Sequence, residues 1–445
     1  MFVAQAPLVP QLLKDLSSEE VQAAVAAPVP EDGRYLHWDK LHRLPAPEGL
    51  SSKQWWLKIK LARASERRSL TLVDTNGRAF GFTLPDLVLR HLHHVDQRCS
   101  GEIGMEKAVA SEKEAERRFL VNSLMEEAIR SSQLEGATTS RRVAKEMLRS
   151  GRPPKDRGER MIANNYQALQ FVREELSDEL TPEGVLELHR IVTEGTLDNP
   201  DAAGRLQRPD EERVAVFDRD DREQPVHRPP PAAELPQRMD SLCRFANGDD
   251  DGGQFVHPVV RAILLHFWLA YDHPFEDGNG RTARILFFWA MRKHGYWLAE
   301  YLPISGFIRR ARAQYERAFL ETETDEGDAT YFLIHQLKVI ERAISDLDKY
   351  LQRKITEQNE MKAMLHGIDS LNGRQFVLLS HAAKNPDHTY TFAGHARSNR
   401  VTHETARSDL GDLADKGFLI RRRRSRTYVF EVPPDLPERL RESGK

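Results

Sequence analysis

The sequence predicts a mainly α-helical protein with small β-rich segments near both of its ends. Apolar residues recur with helical periodicity through most of 106–362. A small mixed α/β region precedes them at 1–105, where Asn76-Gly77 separates two β-rich flanks and predicts a hairpin. Residues 363–445 show three helical segments followed by two basic strands, the order of a winged helix-turn-helix. We therefore expect three domains, since 445 residues exceed one ordinary core.

The composition is typical of a soluble globular protein, with 40% hydrophobic and 30% charged residues. No apolar run approaches the roughly 20 residues that a membrane helix needs, so we expect no membrane span. The amino terminus lacks a basic segment followed by an apolar one, so no secretory signal is expected. Cys99 and Cys243 are too few for a disulfide framework or a thiolate metal site. These observations favour a cytoplasmic location, while the net charge of −3 indicates no class of partner.

The region 106–362 opens with a long predicted helix, EAERRFLVNSLMEEAIRSSQLEG, at about 112–136. We expect it to end at Gly136, because glycine is favoured just after a helix C-terminus. Further helices are predicted at 157–177, 181–193 and 259–271, the last of them very apolar. Between them, 204–231 contains a short β-rich run, an acidic turn and three prolines, which predicts an exposed hairpin.

A glycine-rich segment, HPFEDGNGRTAR at 273–284, leaves one predicted helix and starts another. Gly278 and Gly280 flank Asn279, so the backbone can take positive φ angles and bring its N–H groups close to a ligand. N–H groups at the start of a helix form an anion site that the helix dipole reinforces. The segment therefore predicts a phosphate-binding turn.

Charged side chains surround this turn. Arg281 and Arg284 are three residues apart and project from one face of the helix, where guanidinium groups match phosphate oxygens bidentately. Asp277 offers a hard carboxylate oxygen for Mg²⁺. His273 has an ordinary pKa of about 6.5, which suits a general base near neutral pH.

HPFEDGNGRTAR matches the pattern HxFx(D/E)GNGRxxR without departure, and by it the chain resembles Fic-domain proteins over most of 112–350. The resemblance implies a Fic helical core and the Mg²⁺-dependent transfer of AMP from ATP to a Ser, Thr or Tyr hydroxyl of a target protein. It also implies a role for each position of the motif: His273 as the base, Asp277 as the metal ligand, Gly278, Asn279, Gly280 and Arg281 around the phosphates, Arg284 at the γ-phosphate, and Phe275 as a buried anchor. Glycine at 280 favours AMP transfer over phosphate transfer, since the phosphotransferase branch of the family has lysine there.

A second motif, Ser131 to Gly136, matches the family's inhibitory pattern (S/T)xxxE(G/N). Glu135 would lie in the last turn of its helix, where a negative charge is unfavourable and a cation is needed. Arg284 is the expected partner, and the pairing would deprive the γ-phosphate of its anchor. Ser131 lies four residues earlier and is expected to steady Glu135. In some relatives the same glutamate positions water for removal of AMP, which remains an alternative activity.

Two further features have open interpretations. Val214 and Val216 belong to a predicted edge strand, which is either a target-docking flap that binds a peptide by β-augmentation or a plain surface hairpin. Tyr315 lies where relatives place an aromatic near the adenine, but an ordinary core tyrosine fits equally well.

The terminal unit is basic, with nine lysines and arginines against four acids in 396–430. A basic hairpin beside a polar helix can meet the backbone and groove of DNA. The alternative is a module for protein interaction or homodimer formation. A DNA-binding regulator that uses the nucleotide pocket as a sensor is therefore the competing function.

Overall fold

The chain forms two compact units, Met1–Leu347 and Asp348–Lys445. This computed structural model describes the residues 3–27, 33–99, 113–217, 225–249, 253–366, 371–399, 401–424 and 427–443. Both units are mainly helical and carry small antiparallel sheets. The first unit contains the region 1–105 together with most of the predicted helical domain.

Helices dominate the first unit. In chain order they are α1 (Val9–Asp15), α2 (Ser18–Ala26), α3 (Trp38–Leu41), α4 (Ser52–Glu66), α5 (Asp86–Cys99), α6 (Lys113–Leu134), α7 (Arg141–Ser150), α8 (Arg157–Glu174), α9 (Pro182–Thr193), α10 (Leu235–Asn247), α11 (Pro258–Asp272), α12 (Asn279–Lys293), α13 (Ile304–Arg310), α14 (Arg312–Glu323) and α15 (Thr330–His366), which begins in this unit. The helix predicted at 112–136 is α6.

The described residues of the unit also form two antiparallel hairpins. Strands β1 (Arg68–Val73) and β2 (Ala79–Phe82) form the one predicted around Asn76-Gly77. Strands β3 (Val216–Phe217) and β4 (Pro225–His227) form the second, with Val216 paired to His227. Val214 was expected within this strand but precedes it, so the paired segment is shorter than predicted.

Helix α11 is the centre of the core. Its residues from Val259 to Leu269 are all buried, because the sequence is apolar on every face of the helix. It packs against α12, and α6 packs against α8 and α13. The segment 273–278 connects α11 to α12, so the predicted phosphate-binding turn rests on the most buried helix pair of the unit.

The region 1–105 is joined to the helical core by buried polar contacts. Lys60 Nζ lies 2.7 Å from Asp325 Oδ1, and both side chains are buried. The Tyr35 hydroxyl donates to Asp328 at 2.6 Å, and Gly81 forms a bridge to the same residue. The boundary predicted near residue 105 thus falls inside one compact unit.

The second unit has its own core, in which Leu379, Leu410 and Phe430 are fully buried. Its elements after α15 are α16 (Gly373–Lys384), β5 (Thr389–Tyr390), α17 (Phe392–Asn399), α18 (His403–Asp415), β6 (Ile420–Arg424), β7 (Thr427–Glu431) and α19 (Leu436–Ser443). The strands form a sheet in the order β5-β7-β6. Three helices followed by a hairpin is the order from which the winged helix-turn-helix was predicted.

No helix within the described residues combines the length and the apolar character required to cross a bilayer.

Candidate active site

The turn between α11 and α12 has a left-handed backbone at both ends. His273, directly after α11, has φ 46° and ψ 53°. Gly278, directly before α12, has φ 89°, and a Cβ there would lie 2.7 Å from the Thr193 side chain. Glycine is therefore required at 278 for its conformation and for the space it leaves.

Three buried side chains fix the turn from within. Asn279 accepts from the Phe275 N–H at 2.9 Å and donates to its carbonyl at 2.8 Å. The Phe275 ring stacks on His189, with the ring centres 3.7 Å apart. Phe275 is thus the expected buried anchor, and the Asn279 side chain bonds the turn itself.

His189 on α9 was not identified from the sequence. Its Nδ1 accepts from the Gly204 N–H at 3.0 Å, which leaves Nε2–H to donate to the Asp277 carbonyl at 2.9 Å. Burial lowers the pKa of His189 to about 4, so the ring is neutral in this arrangement. A lone histidine in an amphipathic helix carries no sequence signal for such a role.

Arg213 supports the turn from the opposite side and was also missed. Its guanidinium donates to the carbonyls of Asp272 at 2.8 Å and His273 at 3.1 Å, and also to the Gln207 side chain. The Gln207 N–H donates to the Pro274 carbonyl at 2.9 Å. The segment before β3 thereby holds the backbone on which His273 is mounted.

His273 lines a cavity of about 200 Å³. Its Nδ1 lies 3.4 Å from the Ala270 carbonyl, a long contact that favours the proton on Nδ1 and leaves Nε2 free to accept one. Burial, and after it the nearby charge of His227, lowers the pKa of His273 to about 4. The imidazole is therefore neutral at pH 7, the form that a general base requires.

Arg281 is completely buried on the first turn of α12. Its Nη1 donates to the Val192 carbonyl at 3.1 Å, and its Nη2 lies 3.4 Å from Asp277 Oδ2. Within the described residues, Nε and Nη2 have no hydrogen-bond partner. Buried guanidinium N–H groups are costly when unpaired, so this position favours an anionic ligand.

Asp277 has a side chain that is 45% exposed. Its Oδ1 accepts from the Gly278 N–H at 2.5 Å, and its Oδ2 also lies 3.9 Å from Arg157. Across the described ranges, no group of three or more His, Cys, Asp or Glu side chains is arranged to hold a metal. Asp277 can therefore offer a single carboxylate to a cation that takes its other ligands from elsewhere.

Glu135 and Arg284 form the ion pair that the sequence analysis expected. Arg284 Nη2 donates to Glu135 Oε1 at 2.8 Å, and the guanidinium is buried. Helix α6 ends as predicted with Gly136 at φ 99°. The Ala137 N–H bonds the Ser132 carbonyl and the Gly136 N–H bonds that of Gln133, which is a Schellman motif that sets the position of Glu135.

Ser131 contacts Arg284, the cation of this ion pair. Its hydroxyl was expected to steady Glu135, but it accepts from Arg284 Nε at 2.9 Å, and its carbonyl accepts from Nη2 at 3.2 Å. The difference arises because Arg284 approaches α6 from α12 and reaches the preceding turn as well as the last one. Ser131 thus positions the cation.

Gly280 leaves room for the Glu135 carboxylate. A Cβ at 280 would overlap Glu135 Oε1 and would lie 3.0 Å from Arg284 Nη1. The carboxylate therefore lies against the first turn of α12, where the helix dipole favours a negative charge. Glu135 occupies the position predicted for a phosphate group.

The cavity brings together six of the predicted residues: Glu135, Val216, His273, Gly280, Arg284 and Tyr315. The described lining does not include the remaining predicted residues: Ser131, Val214, Asp277, Gly278, Asn279 and Arg281. Apolar side chains such as Leu134 and Phe319 form part of the wall. The Tyr315 hydroxyl hydrogen-bonds Nε2 of the buried His266 at 2.9 Å, so this tyrosine both lines the cavity and contacts α11.

His227 on β4 lies in the same wall. Its Nδ1 is 2.8 Å from Glu323 Oε2 and its Nε2 is 2.7 Å from the Tyr271 carbonyl. Burial opposes protonation, but the hydrogen bond to Glu323 and its charge outweigh burial and raise the pKa of His227. With an acceptor at both nitrogens, the ring links the hairpin to the end of α11.

Comparison with known proteins shows which family the region around this turn resembles. The sequence model of the Fic/DOC family matches residues 179–291. "Protein adenylyltransferase Fic" of Nematostella vectensis is 29% identical over 188 residues, which are 42% of this chain and 38% of that protein. The protein of the same name from Drosophila grimshawi is 31% identical over 212 residues, 48% of this chain and 38% of its own length. The chain thus matches well under half the length of these relatives.

The fold has a counterpart among solved structures. A Fic family protein from Desulfovibrio desulfuricans G20 aligns with a TM-score of 0.55 and 18% identity, covering 79% of this chain and 98% of that one. The structural likeness supports the fold, and the family match covers α11, the turn and most of α12. Residues 179–291 of this chain are therefore a domain of the Fic/DOC family.

Proposed function

We propose that this chain transfers AMP from ATP to a hydroxyl group of a target protein, and that Glu135 inhibits the transfer. One observation carries the proposal: a single cavity is lined by a neutral His273, by the start of α12 and by an arginine that Glu135 already binds. The names of the relatives, protein adenylyltransferases, support the same reaction.

In the proposed reaction, the target hydroxyl oxygen attacks the α-phosphorus of ATP. A new O–P bond forms, the bond from phosphorus to the pyrophosphate oxygen breaks, and the hydroxyl proton passes to His273 Nε2. The neutral imidazole is ready to accept this proton at pH 7, because its pKa lies near 4. Catalysis of this kind depends mainly on positioning and charge stabilisation.

The phosphates would bind at the first turn of α12. In the described part of the chain, Nε and Nη2 of the buried Arg281 have no hydrogen-bond partner, and Arg284 would take the γ-phosphate once Glu135 releases it. The N–H groups of this turn and the helix dipole add to the site. The apolar wall around Tyr315 is the proposed place for the adenine.

Mg²⁺ fits the donor set at Asp277. This ion commonly takes one or two carboxylates and completes its shell with water and phosphate oxygens, and Asp277 is a half-exposed carboxylate beside Arg281. When bound, Mg²⁺ would offset the negative charge of the polyphosphate. Asp277 would hold it, and Arg157 and Arg281 would compete with it for the same carboxylate oxygen.

The target segment would bind beside Val216. This residue lines the cavity and belongs to the short hairpin that His227 anchors to the core. An extended peptide can add to such a strand through its backbone, whatever its side chains. The hydroxyl to be modified would then reach the cavity that contains His273.

The test is incubation of the purified chain with labelled ATP and Mg²⁺, followed by mass spectrometry for added AMP. Glu135→Gly should raise self-labelling at least about tenfold, because about 1.4 kcal/mol of γ-phosphate binding corresponds to that factor. His273→Ala in the Glu135→Gly background should abolish labelling. Glu146→Gly, on an exposed position of α7, is the matched control and should leave labelling at the wild-type level.

Two results would contradict the proposal. If the Glu135→Gly protein binds ATP without any labelling, the pocket is a nucleotide sensor and the competing regulator function is favoured. If the wild-type chain releases AMP from a labelled acceptor protein while Glu135→Gly does not, removal of AMP is the activity, with Glu135 orienting the attacking water.

A further inference from the structure

The exposed arginines of the terminal unit divide into two groups. Four of the described cations there have a carboxylate partner, in the pairs Arg374–Asp409, Lys416–Asp412, Arg422–Glu431 and Arg439–Asp435. Arg397, Arg407 and Arg423 are exposed and have no carboxylate partner among the residues that the structure describes. Unpaired cations concentrated in one small unit favour an anionic ligand.

Arg407 belongs to the exposed face of α18. The helix buries Ala406, Leu410 and Leu413, whereas His403, Glu404, Arg407 and Ser408 are exposed at the first two turns. Glu404, Arg407 and Ser408 share one side of the helix, because residues three and four apart are neighbours on its surface. The beginning of α18 thus presents a row of polar side chains that the core does not use.

A buried carboxylate fixes the position of this helix. Asp409 accepts from Arg374 at 2.8 Å, from Asn372 at 2.8 Å and from His395 at 3.1 Å. These hydrogen bonds outweigh burial and lower the pKa of Asp409 to about 2. The network ties α18 to the start of α16 and to α17, so its exposed face is held rigidly.

Phe392 places the hairpin beside the same helix. Its ring centre lies 5.7 Å from that of His403, 6.5 Å from that of Tyr428 and 5.1 Å from that of Phe430. The Arg421 guanidinium lies 5.8 Å from the Tyr428 ring. The start of α18 and the basic hairpin β6–β7 therefore form one continuous surface.

We propose that this surface binds duplex DNA, with the first turns of α18 in the major groove and Arg423, a hairpin arginine without a described carboxylate partner, on the phosphate backbone. An α-helix fits the major groove, and polar and cationic side chains at its first turns can contact base edges. A protein partner is less suited, because protein interfaces have an apolar core. Tyr428 is the large exposed hydrophobic residue described on this surface, and Arg421 lies over it.

The test uses the full chain and a fluorescently labelled duplex DNA of mixed sequence, with binding measured by anisotropy at a series of salt concentrations. The double variant R407A/R423A should weaken binding at least about tenfold and, through the lost phosphate contact of Arg423, should reduce the slope of log K against log salt by about one. The matched control R422A/R439A removes two arginines that carboxylates already neutralise. Its binding constant and its salt slope should change much less than those of R407A/R423A. Circular dichroism checks that the variants fold.

Three outcomes would overturn the proposal. The first is no binding of the duplex even at low salt. The second is an equal loss in the control variant, which would indicate general charge attraction. The third is a change in dimer formation by R407A/R423A with DNA binding unaffected, which would assign the surface to a second copy of the chain. None of these outcomes depends on AMP transfer, so the proposal stands or falls separately from it.

Discussion

The backbone of His273 lies in the left-handed region, where side chains other than glycine are uncommon. Such strain costs on the order of 1 kcal/mol and persists only where the surroundings enforce it. Arg213 and Gln207 provide that enforcement through the carbonyls of 272–274. Burial also keeps the imidazole neutral. The proposed base therefore lines the cavity with its Nε2 free to accept a proton.

The lowered pKa of His273 predicts an unusual pH profile. Because the group protonates only near pH 4, the base stays neutral through the weakly acidic range. The initial labelling rate of the Glu135→Gly protein should therefore remain nearly constant from about pH 8 to about pH 5 and fall below that. A decline with a midpoint near the ordinary histidine pKa of about 6.5 would contradict this environment. Thermal unfolding over the same range controls for loss of structure.

His189 is predicted to support the turn without contacting the substrate. His189→Ala removes the stack on Phe275 and two buried hydrogen bonds, so it should lower the free energy of unfolding by about 2 kcal/mol. It should also slow labelling in the Glu135→Gly background, because the turn loses its support. Urea unfolding and labelling rates measure the two effects. His93→Ala, at an exposed position of α5, should leave both nearly unchanged.

Among the elements, α6 shows how a helix end can set the position of one side chain. Its Schellman motif requires the φ of 99° at Gly136, and Glu135 is the residue directly before it. Glu127, two turns earlier, bonds Ser305 at the start of α13, which fixes the helix laterally. The carboxylate is thus placed by the backbone as well as by Arg284.

Two glycine variants distinguish the energetic cost of backbone strain from the proposed inhibition by Glu135. Gly136→Ala and Gly151→Ala both put alanine at a positive φ with open space around the Cβ, so each should cost about 1 kcal/mol of stability. Gly136→Ala should also raise self-labelling, because it displaces Glu135, while Gly151→Ala at the end of α7 should not. Chemical unfolding and labelling assays measure both. Equal labelling by the two variants would mean that the helix end does not control Glu135.

Sequence patterns within a few residues predicted the helices and hairpins well. Contacts between side chains that are distant in the sequence could not be predicted in this way. Gly136 as a helix end and Asn76-Gly77 as a hairpin turn depend on neighbouring residues alone, and both are present in the structure. Ser131 was given the wrong partner because its contact depends on where α12 brings Arg284. His189 and Arg213 were missed for the same reason. Val214 was predicted in a strand whose pairing begins only at Val216.

At the scale of the whole molecule, the region 1–105 is part of the unit that contains the candidate active site. Lys60 on α4 reaches Asp325 directly after α14, the helix that contributes Tyr315 and Phe319 to the cavity wall. Arg63 also donates to the hydroxyl of Tyr331 on α15 at 2.8 Å. The region had no assigned chemistry in the sequence, and these contacts give it a structural role next to the segment that follows α14.

The contribution of the region 1–105 to the free energy of unfolding can be measured at the buried ion pair between Lys60 and Asp325. Lys60→Met leaves the Asp325 carboxylate buried without its ammonium partner and should lower the free energy of unfolding by about 3 kcal/mol. Lys53→Met removes a similar pair with Asp15, but at the surface, and should cost less than about 1 kcal/mol. Urea unfolding compares them. Equal small costs would indicate that the region 1–105 contributes little to the stability of the unit.

The turn at 273–278 is held in shape entirely by protein groups: an amide, a stacked ring pair and an arginine. If a nucleotide binds there as proposed, it does not have to order the loop, so little affinity is lost to entropy at that step. Under the proposed inhibition, the resting and working states differ only by the departure of the Glu135 carboxylate from the Arg284 guanidinium. Side-chain rotations of this size take nanoseconds to microseconds when nothing else must move. Release from inhibition can therefore be fast, and any slowness observed in switching would have to originate in α6 as a whole.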